Sequence, residues 1–306
     1  VTAAAIEAGA SLSLIIRAGA GVNTIDITKA SEKGVYVANC PGKNTDAVAE
    51  LAIGLLIAAD RRIPDALIDL RGGRWRKKEY GKARGLKGRT LGIIGLGSIG
   101  KAVARRALGL EMNVIGWSRR LTPALAKSLG IGYCTTLDEL ADNADAVSVH
   151  LAATKDTKGL LGESFFGRLK PGALFVNTAR SEVVDGAALK AALAGGKIRA
   201  ALDVFENEPT GGDAPFADTE LATRLAAASP HIGASTDQAE EAIAEETVRV
   251  AKTFLETGKP VNAVNPRKLH NGVPLVVRHY NRVGVLAGIL GELRAEGINI
   301  EEMENT

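Results

Sequence analysis

The chain has 306 residues, 38 basic and 35 acidic for a net charge of +3, with 46% hydrophobic and 24% charged side chains. That balance excludes a protein held to nucleic acid by bulk charge and a disordered charged tail, and the length accommodates two ordinary domains with a core in each. The longest apolar run, residues 51–59, is about half a membrane span, so no membrane partner is expected; Cys40 and Cys134 lie far apart without ligand-spaced neighbours, which predicts no disulfide, no metal site and a cytoplasmic location.

Val1 is not followed by a basic, apolar leader, so no secretory signal is expected and the sequence reads as an internal fragment. Residues 12–16 and 35–37 read as strands of a first unit, and 45–70 as a long helical pattern, broken by Pro64, that bridges to a second. Residues 71–78 form the one basic run with an aromatic; with a single Trp75 it reads as a solvated hinge rather than a nucleic-acid surface. From 91 to 205 short Val/Ile/Leu runs alternate with Ala-rich helical stretches, the pattern of a parallel sheet with crossover helices. The strands are expected over 91–94, 113–117, 145–151, 173–177 and 198–204, each apolar on both faces. Thr136, followed by Asp138 and Glu139, and Asp185, before an Ala-rich run ending at Gly195, mark helix starts. A second long helix is expected over 235–258, then a Pro- and Asn-containing linker over 259–273, then a strand-helix-strand pattern from Pro274 that stops short.

Directly after the first of the core strands comes Gly95-Leu96-Gly97-Ser98-Ile99-Gly100, opening an amphipathic helix. The first glycine permits the tight turn, the second lets a pyrophosphate approach the backbone and the third lets helix and strand pack closely, with the anion at the helix N-terminus. In this strand-turn-helix context the motif predicts a dinucleotide site. An acid is expected about twenty residues on, where it would accept the ribose hydroxyls of NAD. Ser118-Arg119-Arg120 stands there instead, and forked guanidinium donors suit the 2′-phosphate of NADP, so the cofactor reads as NAD or NADP with NADP slightly favoured.

Three later stretches, Asn177-Thr178-Ala179-Arg180, Leu202-Asp203-Val204-Phe205-Glu206-Asn207-Glu208-Pro209 and Ser229-Pro230-His231-Ile232-Gly233-Ala234-Ser235, follow in order, and with them the chain resembles the D-isomer-specific 2-hydroxyacid dehydrogenase family almost end to end. The resemblance implies Arg180 as ligand of the substrate carboxylate and carbonyl, Glu208 as partner of the imidazole and His231 as acid/base. It further implies Thr178, Ala179, Asp203 and Gly233 as cofactor contacts beside the glycine turn. The chemistry demands such types: oxidising a 2-hydroxy acid removes a hydride from carbon and a proton from the hydroxyl. Neutral imidazole can take that proton near neutral pH, and a carboxylate on its other nitrogen stabilises the charged form.

The stretch Arg17-Ala18-Gly19 resembles the substrate loop of phosphoglycerate dehydrogenases, in which freed backbone amides hold a carboxylate and Arg17 would pair with a distal phosphate. Asn44 is a second substrate-side residue by the same resemblance, or else a helix cap. From Pro274 the chain resembles the first half of an ACT regulatory domain, with His279, Asn281 and Asn299 at positions that would contact a serine effector, or a dimerisation unit without one. The resemblance implies a Rossmann-like doubly wound α/β sheet inserted in a smaller flavodoxin-like substrate domain, plus a partial ACT (α+β) domain. The boundaries expected are 1–64 for the first part of the substrate domain, 65–232 for the dinucleotide domain and 233–258 for the return helix, with the linker and 274–306 beyond. It also implies a homodimer or homotetramer acting on a small 2-hydroxy or 2-keto acid, with 3-phospho-D-glycerate favoured. Reduction of glyoxylate or hydroxypyruvate with NADPH is the alternative, and a dinucleotide-sensing corepressor-like binding protein is the rival of another class.

Overall fold

A computed structural model describes residues 1–209, 213–265, 275, 277, 279, 282–298, 300 and 303. The chain divides into two compact units, a smaller one of residues 1–17, 21–39 and 249–306 and a larger one of 18–20 and 40–248. Residues 40–64, expected with the first unit, thus group with the larger one, because the helix that fills most of this stretch buries its apolar face there.

In the larger unit seven parallel strands form one sheet: β3 (Thr90–Ile94), β4 (Asn113–Trp117), β5 (Gly132–Tyr133), β6 (Ala146–Val149), β7 (Ala173–Asn177), β8 (Ile198–Leu202) and β9 (Ala227–Ala228), in the order β5-β4-β3-β6-β7-β8-β9. Chain order therefore reverses between β3 and β6, the switch point of a doubly wound sheet. Four of the seven strands lie within the runs read from the sequence and β3 begins one residue before its run, at Thr90; the two-residue strands β5 and β9 are too short to leave a periodic signal.

Each central strand is buried on both faces because successive residues feed different cores. Leu91, Ile93, Leu174 and Val176 join one cluster, with Leu55 and Leu56 of the Thr45–Arg61 helix and Val103 of the Ser98–Gly109 helix. Ile94, Val147, Val149 and Phe175 join the other, with Leu140, Phe166 and Leu189 of the helices on the opposite face. Full burial of a side chain such as Phe175 contributes about 1.5–3 kcal/mol, and the one polar residue of β7, Asn177, stands at its end. The predicted helix starts are borne out: Thr136 Oγ1 accepts from the Glu139 amide at 3.1 Å and Asp185 Oδ1 from the Ala188 amide at 3.0 Å.

The long helical pattern is interrupted before Pro64, at Arg62, whose left-handed φ of 54° ends the Thr45–Arg61 helix. Pro64 then lies in the first turn of the Ile63–Arg71 helix, where its missing N–H costs nothing. The basic run that follows folds back on one acid: Asp69 Oδ1 accepts from Arg74 Nε at 2.9 Å, and Asp69 Oδ2 from Arg76 Nη1 at 3.3 Å and the Tyr80 hydroxyl at 2.6 Å. Hydrogen bonds from Tyr80 and Arg74 hold the Asp69 carboxyl down to about 2.

The smaller unit pairs β1 (Leu14–Arg17) with β2 (Tyr36–Asn39) in parallel over a core of Ile6, Ile25, Ala30, Val35 and Val37. Its Ala3–Ala8 helix, capped by Thr2, was not expected from the sequence. The stretch read as a linker begins as structure, since Val264 donates to Val37 O at 2.8 Å and Asn265 Oδ1 accepts from the Val37 amide at 2.6 Å. A helix over Val285–Ala295 occupies the middle of the strand-helix-strand pattern, and much of the flanking sequence lies outside the described residues. No helix among the described residues is long and apolar enough to cross a membrane.

Candidate functional site

All seven strands run the same way, so the segments leaving their carboxyl ends share one edge of the sheet, and every cofactor and catalytic residue read from the sequence follows one of them. Gly95 leaves β3 with φ 97°, and a Cβ there would lie 2.5 Å from the carbonyl oxygen of His150. A Cβ on Gly100 would collide with the carbonyl oxygen of Gly95, so the third glycine brings helix and strand together as its position suggested. A Cβ on Gly97 would meet nothing within 4 Å. This glycine is instead the N-cap of the Ser98–Gly109 helix, with no side chain capping the first N–H groups, those of Ser98 and Ile99 among them. Open space in front of uncapped donors fits a pyrophosphate. A second mark of fit is Thr178 Oγ1, just past β7, which is buried with no hydrogen-bond partner among the described residues.

After β4, Ser118 is half-buried, while Arg119 and Arg120 are exposed. Arg119 Nη1 donates to Asp156 Oδ2 at 3.2 Å, so this guanidinium already has a partner. Asp156 carried no signal in the sequence, because its relation to Arg119 exists only through the sheet order.

The turn after β7 is shaped by Asn177, which is buried and uses both ends of its amide: Oδ1 accepts from the Ala179 amide at 2.9 Å and Nδ2 donates to the Arg180 carbonyl at 2.9 Å. Arg180 is thereby presented from an extended backbone, its Nη1 donating to Ala179 O at 2.6 Å and its guanidinium paired with no carboxylate among the described residues.

Asp203, past β8 and 1% exposed, organises the neighbouring loop. Its Oδ1 accepts from Ser229 Oγ at 2.7 Å and the Ile232 amide at 2.9 Å, its Oδ2 accepts from the Gly233 amide at 2.9 Å, and its carbonyl accepts from the His231 amide at 2.8 Å. A charged carboxylate that accepts three hydrogen bonds fixes its donors firmly. His231 is held at a φ of 53°, unfavourable for a residue with a Cβ, and sustained by that clamp. Its Nδ1 meets Glu208 Oε2 at 2.5 Å, while Glu208 Oε1 accepts from the Phe205 amide at 2.9 Å. With Nδ1 facing a carboxylate, the ring proton of the neutral imidazole belongs on that nitrogen, which leaves Nε2 as the acceptor.

The structure thus brings Gly95, Gly97, Ser98, Ile99, Gly100, Ser118, Arg119, Thr178, Ala179, Arg180, Asp203, Glu208, His231 and Gly233 to one edge. Arg17 ends β1 in the smaller unit. Gly19, at φ 141°, accepts the Cys40 amide on its carbonyl at 2.9 Å, and Asn44 stands at the N-cap of the Thr45–Arg61 helix without a side-chain capping bond. His279 is half-buried, whereas Asn281 and Asn299 lie outside the described residues. His150 is a residue that the sequence reading passed over. It leaves β6 beside the glycine turn, with Nε2 2.9 Å from Ser148 Oγ and Nδ1 buried without a partner, and burial pushes its pKa down to about 3. An imidazole directly after the largely apolar Ala146–Val149 strand was the available signal.

Comparison with known proteins agrees with this geometry. Residues 53–233 match the family described as D-isomer specific 2-hydroxyacid dehydrogenase, NAD binding domain. D-3-phosphoglycerate dehydrogenase of Archaeoglobus fulgidus is 41% identical over 271 residues, covering 87% of this chain and 49% of that protein. Hydroxypyruvate reductase of Thermotoga maritima is 41% identical over 260 residues, covering 84% and 82% respectively. The crystal structure of D-lactate dehydrogenase from Aquifex aeolicus, complexed with NAD and lactic acid, superposes with a TM-score of 0.76 at 31% identity, covering 88% of this chain and 84% of that one. The chain spans about half the length of the archaeal phosphoglycerate dehydrogenases it matches.

Proposed function

The chain belongs to the D-isomer specific 2-hydroxyacid dehydrogenase family, and from that premise we propose that it oxidises a D-2-hydroxy acid with NAD or NADP, 3-phospho-D-glycerate being the favoured substrate and 3-phosphooxypyruvate the product. The observation that carries the proposal is the 2.5 Å pair of His231 and Glu208 on the same sheet edge as the open glycine turn. The dinucleotide, when bound, accepts the hydride from the substrate carbon. Gly95, Gly97, Ser98, Ile99 and Gly100 would hold its pyrophosphate, with Thr178 Oγ1 offering a further polar contact. His231 Nε2 takes the hydroxyl proton as the hydride leaves, and Glu208 stabilises the imidazolium so formed and fixes the ring. Arg180, free of acidic partners among the described residues, holds the substrate carboxylate in a two-pronged pair and orients the reacting carbon. In the reverse direction the same imidazolium returns the proton.

In this reading Arg17 pairs with the distal phosphate of the substrate, the backbone amides at Gly19 add an anion site for its carboxylate, and Asn44 is a further substrate contact. The name of the Archaeoglobus fulgidus relative supports the phosphorylated acid; a place in serine biosynthesis, a homo-oligomeric cytoplasmic enzyme and an ACT-like tail complete the reading and rest on the resemblance in the sequence. A second reading, NADPH-linked reduction of hydroxypyruvate or glyoxylate, is favoured by the Thermotoga maritima relative, of whose length the chain covers 82%, and by Ser118-Arg119-Arg120.

Reduced nicotinamide, followed by its ultraviolet absorbance, separates the readings when the chain is given 3-phospho-D-glycerate with NAD or NADP, and glyoxylate or hydroxypyruvate with the reduced cofactors. Oxidation of the phosphorylated acid, lost in His231→Ala, is the expected result. Silence there with brisk keto-acid reduction would establish the second reading, and tight dinucleotide binding without any turnover would mark a sensor.

A further inference from the structure

One ion pair past the carboxyl ends of the sheet, Arg119 with Asp156, takes no part in the proton and hydride transfer above. β4 and β6 are the two neighbours of β3, and Arg119 follows β4 while Asp156 follows β6. Their 3.2 Å ion pair therefore joins segments from either side of β3, at the edge where Gly95 begins the turn and where the chain order reverses. A doubly wound sheet takes its dinucleotide at that reversal, and the residues just past its second strand face the ribose nearest the adenine.

The acid is delivered there by a built loop. Thr157, buried at 6% exposure, accepts from the Thr154 amide at 2.8 Å and donates to Ala152 O at 2.7 Å, so the residue next to Asp156 is anchored while the Asp156 head is 76% exposed. Arg119 is 67% exposed, and an ion pair so open to water contributes little to stability. Its position at the cofactor edge, rather than its strength, is what calls for an explanation.

We propose that Asp156 sets the preference of this chain between NAD and NADP by acting through Arg119. The inference rests on the cofactor reading above. A 2′-phosphate needs the Arg119 guanidinium, and Asp156 competes for it and adds like-charge repulsion toward the phosphate. The 2′-hydroxyl of NAD makes no such demand, so the ion pair persists beneath it. The Arg119-Arg120 sequence taken alone points to NADP; the tertiary partner of Arg119 offsets that signal.

Calorimetric or fluorescence titration of NADH and NADPH, without substrate, tests this in the wild type, Asp156→Asn, Arg119→Gln and the double variant. Asp156→Asn should tighten NADPH by about three- to tenfold while moving NADH by less than about twofold. The gain should vanish in the double variant, because without Arg119 there is no guanidinium to release. An equal change for both cofactors, no change for either, or a gain that survives loss of Arg119 would each overturn the proposal. Failure of the wild type to bind either dinucleotide would sink the cofactor reading itself and this inference with it. Both side chains are exposed, so the substitutions leave the core intact.

Discussion

The two edges of the seven-stranded sheet treat their arginines differently. At the amino edge, Arg89 donates to Asp60 at 2.8 Å, to Gly85 O at 3.2 Å and to Asp145 O at 3.1 Å, while Asp145 also accepts the Thr90 amide at 2.9 Å and Lys170 at 3.2 Å. At the carboxyl edge, Arg180 touches only its neighbouring carbonyl, Thr178 Oγ1 and His150 Nδ1 have no partner among the described residues, and the glycine turn presents uncapped N–H groups. Arg89 Nε is itself buried without a partner among the described residues, so the difference between the arginines is one of charge: the Arg89 guanidinium is matched by the Asp60 carboxylate, whereas Arg180 meets no carboxylate among the described residues. That contrast marks Arg89 as stabilising and leaves the Arg180 guanidinium available to an anion.

Substitutions at the two edges should therefore be read out by different measurements. The largest effect is expected at the carboxyl edge: His231→Ala should lower turnover by about 10²–10⁴-fold while leaving NADH binding within a few-fold, as steady-state kinetics beside equilibrium titration would show. Retained turnover would remove His231 from the acid/base role. At the amino edge, Arg89→Met strands the buried Asp60 carboxylate and should cost about 3–5 kcal/mol in urea unfolding, whereas dinucleotide affinity of the folded fraction should hold.

A sharper test lies within the glycine turn. Gly100→Ala drives a Cβ into the Gly95 carbonyl and should destabilise the fold, while Gly97→Ala, at φ −72° with open space ahead, should leave the unfolding midpoint nearly unchanged and weaken dinucleotide binding about tenfold or more. If both variants lost stability equally, the Gly97 space would be a packing requirement rather than a phosphate cradle.

The most gradual effect concerns pH. An imidazole that titrates near 6.5 when unfolded and at about 3 in the fold binds a proton in the unfolded chain first, so stability falls as pH drops from 6.5 toward 3 and the loss levels off below. Across that window His150 contributes at most about 1.4 kcal/mol per pH unit, and His150→Asn should flatten the slope of unfolding free energy against pH. An unchanged slope would show that the ring takes up its proton in the folded state.

What could be read in advance was local. The glycine turn was legible because Gly95 answers to its own φ and Gly100 to a neighbour five residues away, and the helix starts at Thr136 and Asp185 because a cap acts within a single turn. Arg180, Glu208 and His231 were visible only through resemblance, since Glu208 and His231 meet through a loop whose course no periodicity reports. Asp203 was read only as a cofactor contact, through resemblance; its role as a clamp depends on backbone amides at Ile232 and Gly233, about thirty residues on. Arg62 gave no sign of ending a helix, because its left-handed turn is held by Asp65 and Glu79, at 3.1 and 2.6 Å.

By itself, then, the sequence determined the parallel α/β core and the glycine turn, because burial pattern and backbone freedom are properties of neighbouring residues, and it identified the family through motifs that resemblance alone could read. Only the tertiary structure decided that Arg89 is a stabilising arginine while Arg180 stands ready for a ligand, that Asp203 holds the His231 loop, and that Asp156 reaches Arg119 from beyond β3. Those outcomes depend on which strands become neighbours, and strand order is set by the packing of the whole sheet rather than by any stretch of chain.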